Sequence, residues 1–184
     1  MKVYHCIKAL LTYMSIRDEI NRQMGAELFL LRPEIKSSQF ARTIFVSRDV
    51  MSALQPESWK EEERHRMAML RGDLDRFITG EHIAVMLDPK DKPTTYLKRL
   101  KPVASEVWEI RSCDPKPQIR VLGRFSEQDV FIALNWEFRS QLWGSEWDAA
   151  CNHCLSEWQR ILPMCSAHRG RSVSDYVSER YVSV

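Results

Sequence analysis

From Tyr96 to Arg139 the chain alternates apolar and polar residues in three short blocks. In Val107–Ser112, Trp108 and Ile110 fall on one face, and Val107, Glu109 and Arg111 on the other. In Gln118–Phe125, Ile119, Val121 and Phe125 oppose Arg120, Leu122 and Arg124. In Val130–Phe138, Val130, Ile132, Leu134, Trp136 and Phe138 oppose Phe131, Ala133, Asn135 and Glu137. Period-two alternation of β-branched and aromatic residues predicts half-buried strands. Asp114-Pro115-Lys116-Pro117 and Ser126-Glu127-Gln128-Asp129 carry turn chemistry between them. Connections this short cannot make a parallel crossover, so the blocks predict an antiparallel meander. Its less apolar face would present Glu109, Arg111, Arg120, Arg124 and Arg139 to solvent.

The flanking segments read as helices and one more strand. Ile7 to Met24 carries Ile7, Leu10, Leu11, Met14 and Ile16 ahead of a polar stretch, with Gly25 as a stop. Leu28–Leu31 is a short apolar run of either type, and Ser37–Gln39 reads as a linker. Arg42–Ser47 is rich in β-formers. Pro56-Glu57-Ser58-Trp59 suits a first helical turn, where orphan N–H groups favour acids. Trp59, Met67, Leu70, Leu74, Phe77 and Ile78 follow at helical spacing, and Gly72 predicts a break into a hairpin of helices. After a short apolar segment, Ile83–Leu87, residues 88–93 form a polar loop. Ser145 is the expected N-cap of a last helix with Asp148 at N3. Trp147, Ala150, Cys151, Cys154, Leu155, Trp158, Ile161 and Leu162 make its apolar stripe, which Pro163 ends. The expected organisation is an extension over residues 1–41, an α+β domain over 42–163, and a Ser-rich tail over 164–184.

Composition narrows the chemistry. A chain of 184 residues and 21.7 kDa is large enough for one real core plus an appendage. With a formal net charge of +2, any basic signal must be local. No apolar run reaches membrane-span length, and the start lacks a small-residue cleavage site. Five cysteines, an odd count, argue for a reducing, cytoplasmic setting over a disulfide framework. Cys151, Cys154, Cys165 and His168 have a zinc-like spacing, but Cys151 and Cys154 fall on the apolar stripe, where thiols act as small hydrophobes. His5, His65, His82 and His153 each stand apart from any nucleophile. The basic face, with Lys98-Arg99-Leu100-Lys101 beside it, is the main candidate. Arginine forks grip phosphate and could offset charge on a phosphorane where RNA is cleaved. From pattern alone, a solvated sheet face with Arg–Glu cross-strand pairs is the favoured reading.

Trp108-Glu109-Ile110-Arg111, Ile119-Arg120-Val121-Leu122 and Val130-Phe131-Ile132-Ala133-Leu134 running on to Phe138-Arg139 resemble the RelE/ParE toxin superfamily. The HigB-like and phage-derived RelE-like branches are the most similar. A strand at 42–47, a helical hairpin at about 57–79, three strands and a last helix agree in order, over residues 42–162. The resemblance implies a small antiparallel sheet in β-α-α-β-β-β-α order with helices on one face. It implies a cytoplasmic toxin of a type II toxin–antitoxin pair, held by a cognate antitoxin and cleaving ribosome-bound mRNA without metal or other cofactor. Arg111, Arg120 and Arg139 would then be catalytic, stabilising phosphate and transition state. Lys98, Arg99, Lys101 and Arg124 would bind substrate. The family's histidine falls at Asn135 or Trp136 and its paired lysines become Arg139-Ser140, so the proton-transfer group is missing. A non-catalytic binding protein of the same fold, either a gyrase inhibitor or a protein-partner module, is the alternative.

Overall fold

The computed structural model describes residues 15–35, 40–55, 57, 59–87 and 95–184. Its centre is the expected meander. Strands β5 (Trp108–Ser112), β6 (Ile119–Glu127) and β7 (Val130–Phe138) pair antiparallel in sequence order. Around it the sheet grows on both sides. β1 (Leu28–Leu30) pairs antiparallel with β2 (Thr43–Ser47), which lies parallel to β7. β4 (Leu97–Arg99) pairs antiparallel with β5, and β3 (Ile83–Met86) and β8 (Tyr181–Ser183) continue in parallel. The result is an eight-stranded mixed sheet, β1-β2-β7-β6-β5-β4-β3-β8, not the small antiparallel one expected. The α+β class stands; the sheet is larger because segments outside the meander also join it.

Helices cover both faces, where one covered face was expected. α2 (Arg48–Ala53) and α3 (Glu61–Ile78) lie on one side. There Val50, Met67, Leu70, Leu74 and Phe77 pack on Ile44, Trp108, Ile110, Val121, Phe125 and Phe131. α1 (Ile16–Gln23) and α4 (Ser145–Ile161) lie on the other, where Ile20, Ala150, Cys154 and Trp158 pack on Val107, Leu122, Ile132 and Leu134. The reason is in the strands, since β6 and β7 carry buried apolar residues of both phases and neither face can stay wet. α3 runs unbroken through Gly72, whose added Cβ would meet open space. A single mid-helix glycine costs only about 1 kcal/mol, and the apolar stripe on both sides of it outweighs that. Gly144 precedes the first residue of α4, so Ser145 is its first helical residue and not its cap. The expected helix start at Pro56, the residues before Ser15, the linker residues 37–39 and the loop 88–93 lie outside the described residues.

β7 departs from simple alternation. Leu122 pairs with Asn135 but Gly123 with Ala133, so Leu134 is an extra residue that resets the phase. Ile132 and Leu134 face α4, whereas Trp136 and Phe138 turn toward α3 and Asn135 toward α4. Gly123 sits at this bulge because nothing larger fits: a Cβ there would lie 2.2 Å from Ile132 O and 2.5 Å from Phe131 Cζ.

Early and late segments among the described residues feed the same sheet. Arg42, 3% exposed, donates to Glu179 O at 2.5 Å and Arg180 O at 3.2 Å. The hydroxyl of fully buried Tyr176 donates to Glu106 Oε2 at 2.6 Å and accepts from Gly170 N–H at 2.7 Å. Arg99 closes the group, 3.3 Å from Glu106 Oε1.

Substituting Gly123→Ala forces a methyl against backbone and ring at once, so it should lower stability by about 2 kcal/mol. A urea unfolding midpoint equal to wild type would contradict this close approach.

Candidate functional site

The charged row that the sequence places on one sheet face is real, but α4 roofs it. In register across the strands, Arg111, Arg120 and Glu137 are neighbours, and so are Lys98, Glu109, Leu122 and Asn135. Arg120 is 1% exposed and Glu109 3%, with Arg120 Nε 3.1 Å from Glu109 Oε2. The rest of the guanidinium is committed too: Nη1 donates to Ile119 O at 3.0 Å and Nη2 to Gln118 Oε1 at 3.1 Å. Arg111 Nε stands 3.8 Å from Glu109 Oε1. Burial pushes the Glu109 carboxyl up, while Arg120, Arg111, Lys98 and Arg139 in turn pull it down. Burial likewise pushes the Arg120 guanidinium down, against the pull of Glu109. Cross-strand Arg–Glu pairing was the pattern's expectation; solvent on that face was not met. Leu122, Val107, Ile132 and Leu134 share the face and require an apolar cover.

The remaining predicted cations disperse. Arg139 donates from Nη1 to Leu142 O at 2.9 Å, with its guanidinium carbon 5.0 Å from the Trp143 ring centre and 5.5 Å from that of Trp147. Arg124 lies over Trp158 of α4 at 4.8 Å. Arg99 stacks near Trp108, on the α3 side of the sheet, and Lys101 is exposed beyond β4. Lys98, Arg111 and Arg120 are therefore brought together around Glu109, with Arg139 near enough to act on it. Arg99, Lys101 and Arg124 are not part of that group.

The zinc-like spacing does not close into a site. Cys154 is fully buried, and burial drives its thiol up; that of half-buried Cys151 rises to about 11. The His168 ring lies 2.8 Å from Asp175 O. Among the described residues, no three His, Cys, Asp or Glu side chains converge to hold a metal ion.

A cleft that the sequence did not reveal opens where β7 ends and α4 begins. Glu137, Gln141, Leu142, Glu146, Ala149, Ala150 and His153 line about 480 Å³. Burial raises the Glu137 carboxyl, and the nearby Asp49 and Glu146 raise it further, against His153. Asp49, in the first turn of α2, is raised by burial and by Glu157, again against His153. Glu137, Asp49 and His153 come from β7, α2 and α4, so no local motif could have joined them. His153 lies off the apolar stripe of α4 and reads in sequence as an ordinary surface residue.

No protein-family model matches the chain, and neither a curated protein nor a solved structure matches it.

Two outcomes follow from these charges. Arg120→Ala leaves Glu109 buried with its nearest partner gone and should cost about 3–5 kcal/mol. The double change Glu109→Gln/Arg120→Met should recover most of that loss in the same unfolding assay. The second concerns acid. Folding lifts the Glu137 pKa above its unfolded value, so over that interval the folded protein holds a proton that the unfolded chain releases. Stability contributed by this group therefore falls as pH rises from the ordinary carboxylate value of about 4.3 through the raised one. Glu137→Gln should flatten that part of the melting-temperature profile, and an unchanged slope would refute the assignment.

Proposed function

We propose that this chain acts by binding a protein partner and not by cutting RNA. The observation that carries the reading is the fate of Arg120. A phosphate-binding arginine must reach solvent, whereas this one is 1% exposed, paired with Glu109 and bonded to backbone. Arg139, the next strongest candidate for a phosphate contact, is held by Leu142 O, Trp143 and Trp147. RNA cleavage also needs a proton acceptor for the 2′-hydroxyl and a donor for the leaving oxygen. The titratable groups gathered in the open cleft are mainly carboxylates, which repel a phosphate backbone. An acidic, concave site beside an exposed tryptophan, Trp143 at 67%, suits a cationic protein surface better.

The rival reading is the RelE-like mRNA nuclease, partnered by an antitoxin in the cytoplasm. Its support is the meander itself, since the three blocks that carry the resemblance pair in the order that reading requires. Controlled induction in bacteria, with mRNA ends mapped, separates the two. The expected outcome is no new cleavage ends from soluble, folded wild-type protein. New ends that disappear in a folded Arg139→Ala variant would overturn the binding reading and restore the nuclease.

A further inference from the structure

The two edges of the sheet are treated differently. At β1 the turn ahead of the strand folds back on it: Met24 bridges to Leu28, and Gly25 N–H donates to Leu28 O at 2.9 Å. β8, at the other edge, has no such cover among the described residues. Toward β3, Arg180 O accepts from Ile83 N–H and Val184 N–H donates to Val85 O, each at 3.1 Å. Backbone groups alternate in direction along a strand, so those of Val182 also face β3, and those of Tyr181 and Ser183 point away from the sheet. Such a row is a template for a further strand. Tyr181–Ser183 includes no proline, no charged residue and no bulge that would deter one.

The side chains favour the same pairing. Ile83, Val85 and Tyr181 pack with the core on the α3 side, so Ala84 and Val182, level with each other in adjacent strands, face the opposite side. Val182 is 46% exposed and Ala84 is half-buried. An apolar pair therefore runs out to the edge and stops there. We propose that β8 pairs antiparallel with β8 of a second copy of this chain, about a two-fold axis at Val182, joining the two sheets into one. In that register Tyr181 of one copy and Ser183 of the other exchange both backbone hydrogen bonds, and the two-fold repeats the exchange. The two Val182 side chains then stand at the closest cross-strand spacing, and with the two Ala84 methyls they make one continuous apolar strip. A second copy is selected over an unrelated segment because the outward backbone groups lie symmetrically about Val182, the exposed apolar residue of the strand. The contact is narrow, so the dimer depends on concentration. This self-association goes beyond the binding reading above and does not depend on it.

The test is sedimentation velocity of the full chain across a concentration series, with the same series on variants. Wild type should move from monomer toward dimer as concentration rises. Ser183→Pro removes only an outward N–H, because β8 is tied to β3 through Val182 and Val184. It should weaken dimerisation by about tenfold, one hydrogen bond being lost from each copy. Val182→Lys sets like charges across the axis and should abolish the dimer. Both variants should keep the wild-type urea midpoint, which separates lost pairing from lost folding. Register is checked by mild oxidation: Val182→Cys should give a dimer cross-linked through position 182, located by mass spectrometry. Ser183→Cys should not cross-link through its new thiol, since its Cα would lie more than about 7 Å from its counterpart. A monomer at every concentration, a dimer that both Ser183→Pro and Val182→Lys leave intact, or equal cross-linking through position 183 would each overturn the proposal.

Discussion

The constraint on which this structure depends is that its central strands are apolar on both faces. β6 sends Ile119, Val121 and Phe125 one way and Leu122 the other; β7 does the same with Phe131 and Ala133 against Ile132 and Leu134. A sheet with two apolar faces must be covered twice, at roughly 25 cal/mol for each square ångström of apolar surface removed from water. α3 with α2 meets one demand, and α4 with α1 meets the other. Charged residues that share a strand with such residues are carried under the cover with them. Glu109 and Arg120 are buried for this reason, because their strand neighbours require it.

That burial sets what the charged row can do. Removing an ion pair from water costs several kcal/mol per ion, and the attraction within the pair returns about as much only when geometry and further hydrogen bonds are good. Arg120 meets that condition through Glu109, Ile119 O and Gln118 Oε1. Its charge goes into offsetting its own desolvation. Arg139, half-buried between two indole rings, keeps part of its surface at the edge.

The meander was legible because its signal is local: alternation, turn residues and short connections all lie within the same forty-odd positions. α4 was legible from its stripe, and so was the strand at Thr43–Ser47. Three features were not. The extra residue at Leu134 resets a phase that sequence carries straight through, so the faces assigned to Trp136 and Phe138 were exchanged. Strand partners far along the chain, such as β3 with β8, leave no periodic mark, and three-residue strands are too short to show one. The cleft required the end of β7 and α4 to meet, with Asp49 of α2 near Glu137, and Asp49 and His153 look like ordinary surface residues in sequence. A basic face is easy to see in sequence, whereas whether a helix lies on it depends on the apolar residues interleaved with the charges.

Solvent reaches charged groups of this sheet at its rim and not at its middle. The cationic row and the acidic cleft both belong to the α4 side of the sheet: Arg120 pairs in register with Glu137, yet Arg120 is sealed and Glu137 opens to the cleft. The difference lies in how α4 crosses the sheet. Its first turns meet the end of β7 through small residues, Ala149 and Ala150, and leave a gap there; farther on, Cys154 and Trp158 close against Leu122 and Leu134. A helix with large side chains at positions 149 and 150 would have sealed the carboxylates too. It would then have had to supply them with internal cations, as the other buried carboxylates of this chain are supplied. Small residues at that one crossing keep Glu137 and Glu146 at the edge of the fold, open to the cleft.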